Sequence, residues 1–155
     1  MLTRRLEKRI GTVKLLGTGI LKQHKFSFNK KSKDGSLKAD AFYTGDNADE
    51  VIGVLFEITD SQKKSLDKAE GLGYGYDLKT VKVSRSDQII DVVTYVSTDN
   101  DQTGVNAPYN WYSEIIIAGA MEHNLPSAYI EIIKSNKTKI DLDSSRSVKE
   151  LSIIS

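Results

Sequence analysis

The alternation of hydrophobic and polar positions predicts strands along the first two thirds of the chain and helices after them. Phe26 and Phe28 alternate with polar residues, which is typical of a strand with one buried face. Residues 51–58 form a nearly continuous apolar run interrupted by Gly53, which is typical of a strand covered on both faces. The whole pattern predicts strands at residues 13–16, 21–28, 39–44, 51–58, 78–83 and 89–96.

Capping signals and apolar spacing predict four helices. Thr59 and Gln62 have the spacing of a capping box and Gly71 is a suitable C-cap, so a helix is expected to end at Glu70. The other predicted helices cover residues 2–9, 108–123 and 127–135, the last capped by Ser127. This order of elements predicts an α+β fold in which a mixed sheet closes into a small β-barrel with appended helices.

The length of 155 residues and a hydrophobic fraction of 39% are sufficient for one domain with a packed core. We expect this domain to cover residues 1–135. Residues 136–155 are polar apart from a late apolar group at Leu151, Ile153 and Ile154, so they are expected to be either disordered or a short docking helix. The polar loop at residues 99–107 is expected near the mouth of any pocket.

Charge and composition exclude several classes of function. The net charge of +1 argues against a broad nucleic-acid surface, and the one dense basic cluster, Lys30 to Lys33, precedes Asp34-Gly35 and indicates a hairpin turn. The absence of cysteine excludes disulfides, thiol catalysis and zinc–thiolate sites. The two histidines, His24 and His123, lie far apart, so neither a metal nor another cofactor is expected. No apolar run is long enough for a membrane span, which predicts a cytoplasmic protein without a membrane partner.

Glu70 and Tyr112 are the candidates for chemistry. A carboxylate at a helix C-terminus faces the negative end of the dipole, which disfavours its charged form and suits a group that carries a proton part of the time. Tyr112 shares one helical face with Ile115, Ile116 and Gly119, so it is expected to point inward. From these residues alone, a solvated Glu70 and a packed core Tyr112 remain open as alternatives.

Several short segments together resemble the gamma-glutamylcyclotransferase family, which is also described as AIG2-like. They occur in the family's order and at close to its spacing, across most of residues 1 to about 134. The matching segments are VIGVLFEI at 51–58, LDKAEG at 66–71, TYV at 94–96, YSEIIIAGA at 112–120 and EHNLP at 122–126. The family's fold is also a small barrel with appended helices.

The resemblance implies roles for three residues. Glu70 corresponds to the catalytic acid/base, and Tyr112 corresponds to a tyrosine that contacts the substrate. A second substrate-binding tyrosine falls on Tyr76, with Tyr74 as the competing choice. The implied substrate is a small gamma-glutamyl molecule, and no cofactor is implied. The oligomeric state is not indicated.

The implied reaction is attack of a gamma-glutamyl amine on its own side-chain amide, which gives 5-oxoproline and a free amino acid. Two alternatives remain: a gamma-glutamylamine cyclotransferase, and a catalytically silent relative that acts as a binding module. The family begins with a strand and a Tyr-Gly-Ser-Asn loop that holds the substrate, whereas this sequence opens at what resembles the segment after that loop. We expect either a misassigned start or a shortened relative.

Overall fold

The computed structural model describes residues 2–155, and these residues form six strands and five helices. In chain order the elements are α1 (Thr3–Ile10), β1 (Lys14–Lys22), β2 (His24–Lys31), β3 (Leu37–Tyr43), β4 (Glu50–Glu57), α2 (Asp60–Glu70), β5 (Tyr76–Arg85), β6 (Gln88–Ser97), α3 (Asn110–Glu122), α4 (Ser127–Lys134) and α5 (Ser144–Leu151). The predicted α+β class is confirmed.

The strands form two sheets rather than one. One sheet has four strands in the order β4-β1-β5-β6, and the other consists of β2 and β3. Every pairing between these strands is antiparallel, so the predicted mixed sheet is wrong. Two of these pairings, β2–β3 and β5–β6, follow from short hairpin turns, which permit only antiparallel neighbours. Within residues 2–155 no pairing closes either sheet, and the predicted barrel is not confirmed.

Strand boundaries differ from the prediction where the backbone is unusual. The predicted strand at residues 21–28 is divided at Gln23, whose φ of 61° interrupts the extended conformation. Consequently Leu21 lies at the end of β1 and Phe28 lies within β2. The hairpin turn predicted at Asp34-Gly35 is confirmed between β2 and β3, where Gly35 has a φ of +80°.

Local helix signals are confirmed in α2 and wrong in α4. Thr59 and Gln62 make both hydrogen bonds of the capping box, and Gly71 ends α2 in the left-handed conformation. The expected cap of α4 by Ser127 is wrong, since Pro126 occupies the N-cap position and Ser127 is already the first helical residue. Within residues 2–155 no helix is long and apolar enough to cross a bilayer.

Three apolar clusters connect the elements. Leu21, Val81 and Val83 pack between the strands of the larger sheet. A second cluster joins the end of α3 to α4, and it contains Ala120, Leu125, Tyr129 and Ile133. The third surrounds Trp111 and Ile115 in α3, and it contains Leu2 together with the partly buried Leu151 and Ile153. Thus α5 and the residues after it pack against α3, while the proposed domain boundary at residue 135 stays a prediction.

Strand β4 is less buried than its apolar sequence predicts. Its residues are half-buried up to Phe56, and none is fully enclosed. Val51, Gly53 and Val54 line a cavity of about 440 Å³. The same residues also line a second cavity of about 510 Å³. The strand is therefore apolar because it borders internal space as well as packed side chains.

Candidate active site

The cavity of about 440 Å³ has walls of two kinds. Strand β4 and helices α3 and α4 contribute mainly apolar side chains, whereas α1, α2, β2 and β3 contribute the charged ones. Glu70, Tyr76 and Tyr112 all line this cavity. Tyr74, the competing choice to Tyr76, is 84% exposed and does not line it. An apolar cavity with a few converging polar groups is the usual form of a small-molecule site.

Glu70 enters the cavity because α2 ends there. The left-handed Gly71 stops the helix, and its N–H bonds back to the carbonyls of Asp67 and Lys68. Glu70 Oε1 accepts a hydrogen bond of 2.7 Å from Arg9 Nη1 in α1, and the Glu70 side chain is 19% exposed. Glu70 Oε2 has no hydrogen-bond partner within residues 2–155. This carboxylate is thus anchored by one oxygen while the other can accept a further donor.

The two tyrosines are fixed by one backbone position. The Tyr76 hydroxyl donates to the carbonyl of Ala39 over 3.1 Å, and the N–H of Ala39 donates to the Tyr112 hydroxyl over 3.2 Å. Burial raises the pKa of Tyr76 above its ordinary value, and the nearby Tyr112 and Glu70 raise it further. Burial also raises the pKa of Tyr112. Both phenols therefore stay protonated at neutral pH, and the Tyr112 O–H is available as a donor.

A second contact fixes the end of α2 against the larger sheet. The Tyr95 hydroxyl in β6 donates a short hydrogen bond to Asp67 Oδ1, and Lys63 also pairs with Asp67. The Tyr95 bond, followed by the Lys63 bond, lowers the pKa of Asp67. Burial raises the pKa of Tyr95, and its bond to Asp67 raises it further. This connection holds the helix turn that carries Glu70.

Sequence reasoning did not assign these supporting residues. Arg9 lies 61 positions before its partner Glu70, and nothing in the chain pattern joins them. Asp67 and Tyr95 lie within LDKAEG and TYV, two of the segments that carry the family resemblance. Their place in these segments is the sequence signal that could have identified them. Within the described part of the chain, no group of three or more His, Asp or Glu side chains converges as metal ligands do.

Comparisons with known proteins identify the family of this chain. A profile of the AIG2-like family matches residues 50–133. Gamma-glutamylcyclotransferase from Mus musculus is 35% identical over 89 residues, which cover 56% of this chain and 46% of the mouse protein. The matching segment thus spans about half the length of that curated relative.

Solved structures show the same fold over nearly the whole chain. A structure described as gamma-glutamyl cyclotransferase has a TM-score of 0.79 at 26% identity, covering 96% of this chain and 92% of that one. An uncharacterized Homo sapiens protein has a TM-score of 0.78 at 27% identity with the same coverage. The fold, the matched profile and the curated relative lead to one conclusion: the chain belongs to the AIG2-like family, and the predicted gamma-glutamylcyclotransferase-like identity is confirmed.

Proposed function

We propose that this protein is a gamma-glutamylcyclotransferase that converts gamma-glutamyl amino acids to 5-oxoproline and a free amino acid. The observation that carries the proposal is the shared cavity of Glu70, Tyr76 and Tyr112 in a member of this family. The cavity volume of about 440 Å³ is suitable for a molecule the size of a dipeptide.

The chemistry requires few protein groups because both reacting groups belong to one substrate molecule. The alpha-amine attacks the side-chain amide carbonyl, a C–N bond forms to close the five-membered ring, and the original amide C–N bond breaks. Holding the substrate in a folded conformation supplies a high effective molarity. No covalent enzyme intermediate is needed, in agreement with a cysteine-free chain.

Glu70 is proposed as the general acid/base. The substrate amine is an ammonium ion in water, and it must lose a proton before it can attack. Glu70 takes this proton, and Oε2 is the oxygen that Arg9 leaves without a donor. The same carboxyl then gives the proton to the departing nitrogen, so the glutamate ends the cycle as it began. The second proton that the attacking nitrogen loses when it becomes the lactam N–H goes to the released amine, which leaves as an ammonium ion.

Tyr112 and Tyr76 are proposed to bind the substrate. The Tyr112 oxygen already accepts the N–H of Ala39, which leaves its own hydrogen for an acceptor in the cavity. The Tyr76 hydrogen is directed to the Ala39 carbonyl, so its contribution is the ring face and the oxygen lone pairs. The two residues together hold the substrate beside Glu70.

The experiment that tests the proposal is 5-oxoproline release from a panel of gamma-glutamyl dipeptides. Glu70→Gln keeps the shape of the side chain but removes the titratable proton, so we expect release to fall by about 100-fold or more. Glu114→Gln is the matched control, because Glu114 is exposed on α3 and does not line the cavity. A loss of less than about threefold for Glu70→Gln would contradict the assignment of Glu70.

One observation favours a second candidate, a silent binding module. The ion pair with Arg9 occupies one oxygen of Glu70, and a carboxylate kept in that pair would hold a ligand without moving a proton. Calorimetric binding of a gamma-glutamyl dipeptide without any 5-oxoproline release would support this candidate. Release that depends on Glu70 would eliminate it.

A further inference from the structure

The charged lining of the cavity is unbalanced. Of the residues that the structure describes, four cationic side chains and a single carboxylate, Glu70, line it. Three of the cations have a carboxylate partner: Arg5 with Glu150 at 2.8 Å, Arg9 with Glu70 at 2.7 Å, and Lys38 with Asp34 at 2.7 Å. The fourth is Lys30, which has no carboxylate within ion-pair distance and no hydrogen-bond acceptor for its ammonium in residues 2–155.

The position of Lys30 is also unfavourable for the fold itself. A bulge in β2 between Phe28 and Lys30 shifts the register so that Lys30 lies directly opposite Lys38 in β3. Like charges on directly opposed strand positions destabilise a sheet. Lys38 is neutralised by Asp34, whereas among residues 2–155 Lys30 is compensated only by the Tyr76 ring, 4.6 Å from its ammonium.

A half-buried cation with this arrangement is available for an anion from outside the chain. The Lys30 ammonium lies over the Tyr76 ring, and a Cβ at Gly75 would be 3.2 Å from it, so Lys30 lies beside the turn that leads into β5. Burial around the cavity reduces the competition of water for its charge, so a carboxylate placed there would make a strong, charge-assisted bond.

The substrates of the proposed reaction carry up to two carboxylates. One belongs to the glutamyl unit, on the same carbon as the reacting amine, and must therefore lie close to Glu70. The cation on that side of the cavity is Arg9, which is already paired with Glu70 at 2.7 Å. The second carboxylate exists only when the released group is an amino acid rather than a simple amine.

We propose that Lys30 is a specificity-determining residue that binds the carboxylate of the released amino acid. This inference rests on the proposed function, and it selects gamma-glutamyl amino acids over gamma-glutamylamines as the substrate class. The observation that supports this inference is that Lys30, which has no ion-pair partner within residues 2–155, lines the same cavity as Glu70.

The test compares two substrates that differ in this one group, gamma-glutamylalanine and gamma-glutamylethylamide. Binding to the full chain is measured by calorimetry, and 5-oxoproline release is measured in parallel. Lys30→Gln should weaken binding of gamma-glutamylalanine and raise its KM by about tenfold or more, with little change for gamma-glutamylethylamide. Lys30→Arg keeps the positive charge and should restore most of the difference.

Two controls separate recognition from folding. Lys25→Gln removes an exposed lysine from the same strand outside the cavity. It should change neither the binding nor the KM of either substrate. The thermal midpoint of Lys30→Gln should be unchanged or higher, because the substitution removes one of two like charges at directly opposed strand positions.

Different results would overturn the role of Lys30 and the cyclotransferase activity. Equal losses for both substrates, or no loss for either, would overturn the role of Lys30 even if 5-oxoproline is released. Binding of gamma-glutamylalanine that depends on Lys30, without any release, would support the anion site and overturn the cyclotransferase. No binding of either substrate would overturn both.

Discussion

Two arginine–carboxylate pairs in this protein have the same chemistry, but their carboxylates differ in the number of hydrogen bonds they accept and in their exposure. Asp141 accepts two hydrogen bonds from Arg146, one of 2.8 Å from Trp111 Nε1, and one from the N–H of Asp143. Its side chain is 1% exposed. Glu70 accepts one bond, from Arg9, and its side chain is 19% exposed beside a cavity.

The difference separates a structural carboxylate from one that can react. Asp141 has no free lone pair for another donor, and the bonds from Arg146 and Trp111 hold its pKa well below the usual range despite the opposing effect of burial. It ties the segment before α5 to Trp111 in α3, next to Tyr112. In the described part of the chain, Glu70 keeps one oxygen without a partner, which the proposed proton transfer requires. We therefore expect loss of Asp141 to affect stability and loss of Glu70 to affect turnover.

The largest stability effect is expected for Asp141→Asn. The substitution keeps the side-chain shape but removes the charge that pairs with Arg146, so we expect the thermal midpoint to fall by roughly 10 °C. Circular dichroism on heating would measure it. Glu131→Gln is the control, since its pair with Lys134 is exposed and such pairs contribute little. A fall in thermal midpoint of less than about 2 °C for Asp141→Asn would contradict the structural role of Asp141.

Acid unfolding sharpens the same prediction. Because the folded pKa of Asp141 lies below its ordinary value of 3.8, its stabilisation is fully present above that pH. As the pH falls below this value the unfolded chain is protonated first, and the stabilisation is lost as the pH approaches the folded pKa. The difference in free energy of unfolding between the natural protein and Asp141→Asn should narrow from about pH 4 downward. If this difference in free energy of unfolding did not change with pH, a lowered pKa of Asp141 in the folded protein would be contradicted.

A smaller, kinetic effect is expected for Arg9→Gln. We propose Arg9 as a positioning residue, because it contacts Glu70 and its pair is part-exposed. We expect kcat to fall by about tenfold as the Glu70 carboxylate loses its fixed orientation, with a change in thermal midpoint of only about 2 °C. Steady-state kinetics with gamma-glutamylalanine would separate kcat from KM.

The controls for Arg9 use its neighbour and its charge. Lys8→Gln alters an exposed cation on the same helix and should leave kcat unchanged. Arg9→Lys keeps the charge but loses the planar donor geometry, so only partial recovery is expected. A large fall in thermal stability with an unchanged kcat would mean that the Arg9–Glu70 pair is structural, like the pair of Arg146 with Asp141.

The parts of the molecule that sequence predicted are those specified by neighbours along the chain. Helix α2 and the position of Glu70 follow from Thr59, Gln62 and Gly71, which act within one helical segment. The family resemblance selected Tyr76 and Tyr112, which line the same cavity as Glu70. Their attachment to Ala39 depends on how β3 packs beside them, which no local pattern contains.

The missed features depend on tertiary contacts. The sequence pattern predicts separate strands at residues 13–16 and 21–28, yet β1 continues through Gly17 and Gly19 to Lys22. A Cβ at Gly19 would lie 3.0 Å from Leu55 Cδ1, so glycine is present there to permit close approach to β4. The pairs of Arg9 with Glu70 and of Trp111 with Asp141 likewise join residues that are distant in the chain.

The smallest predicted effect is that of Tyr112→Phe, which removes one hydroxyl from the cavity. If this hydroxyl donates a neutral hydrogen bond to the substrate, its loss should weaken binding by about 1 kcal/mol, which is roughly a fivefold increase in KM. Initial rates across a range of gamma-glutamylalanine concentrations would measure it. Tyr74→Phe, at a side chain 84% exposed, is the control and should leave KM unchanged. An unchanged KM for Tyr112→Phe would mean that Tyr112 only packs between Phe28 and Trp111, and the catalytic side of the comparison would then rest on Glu70 alone.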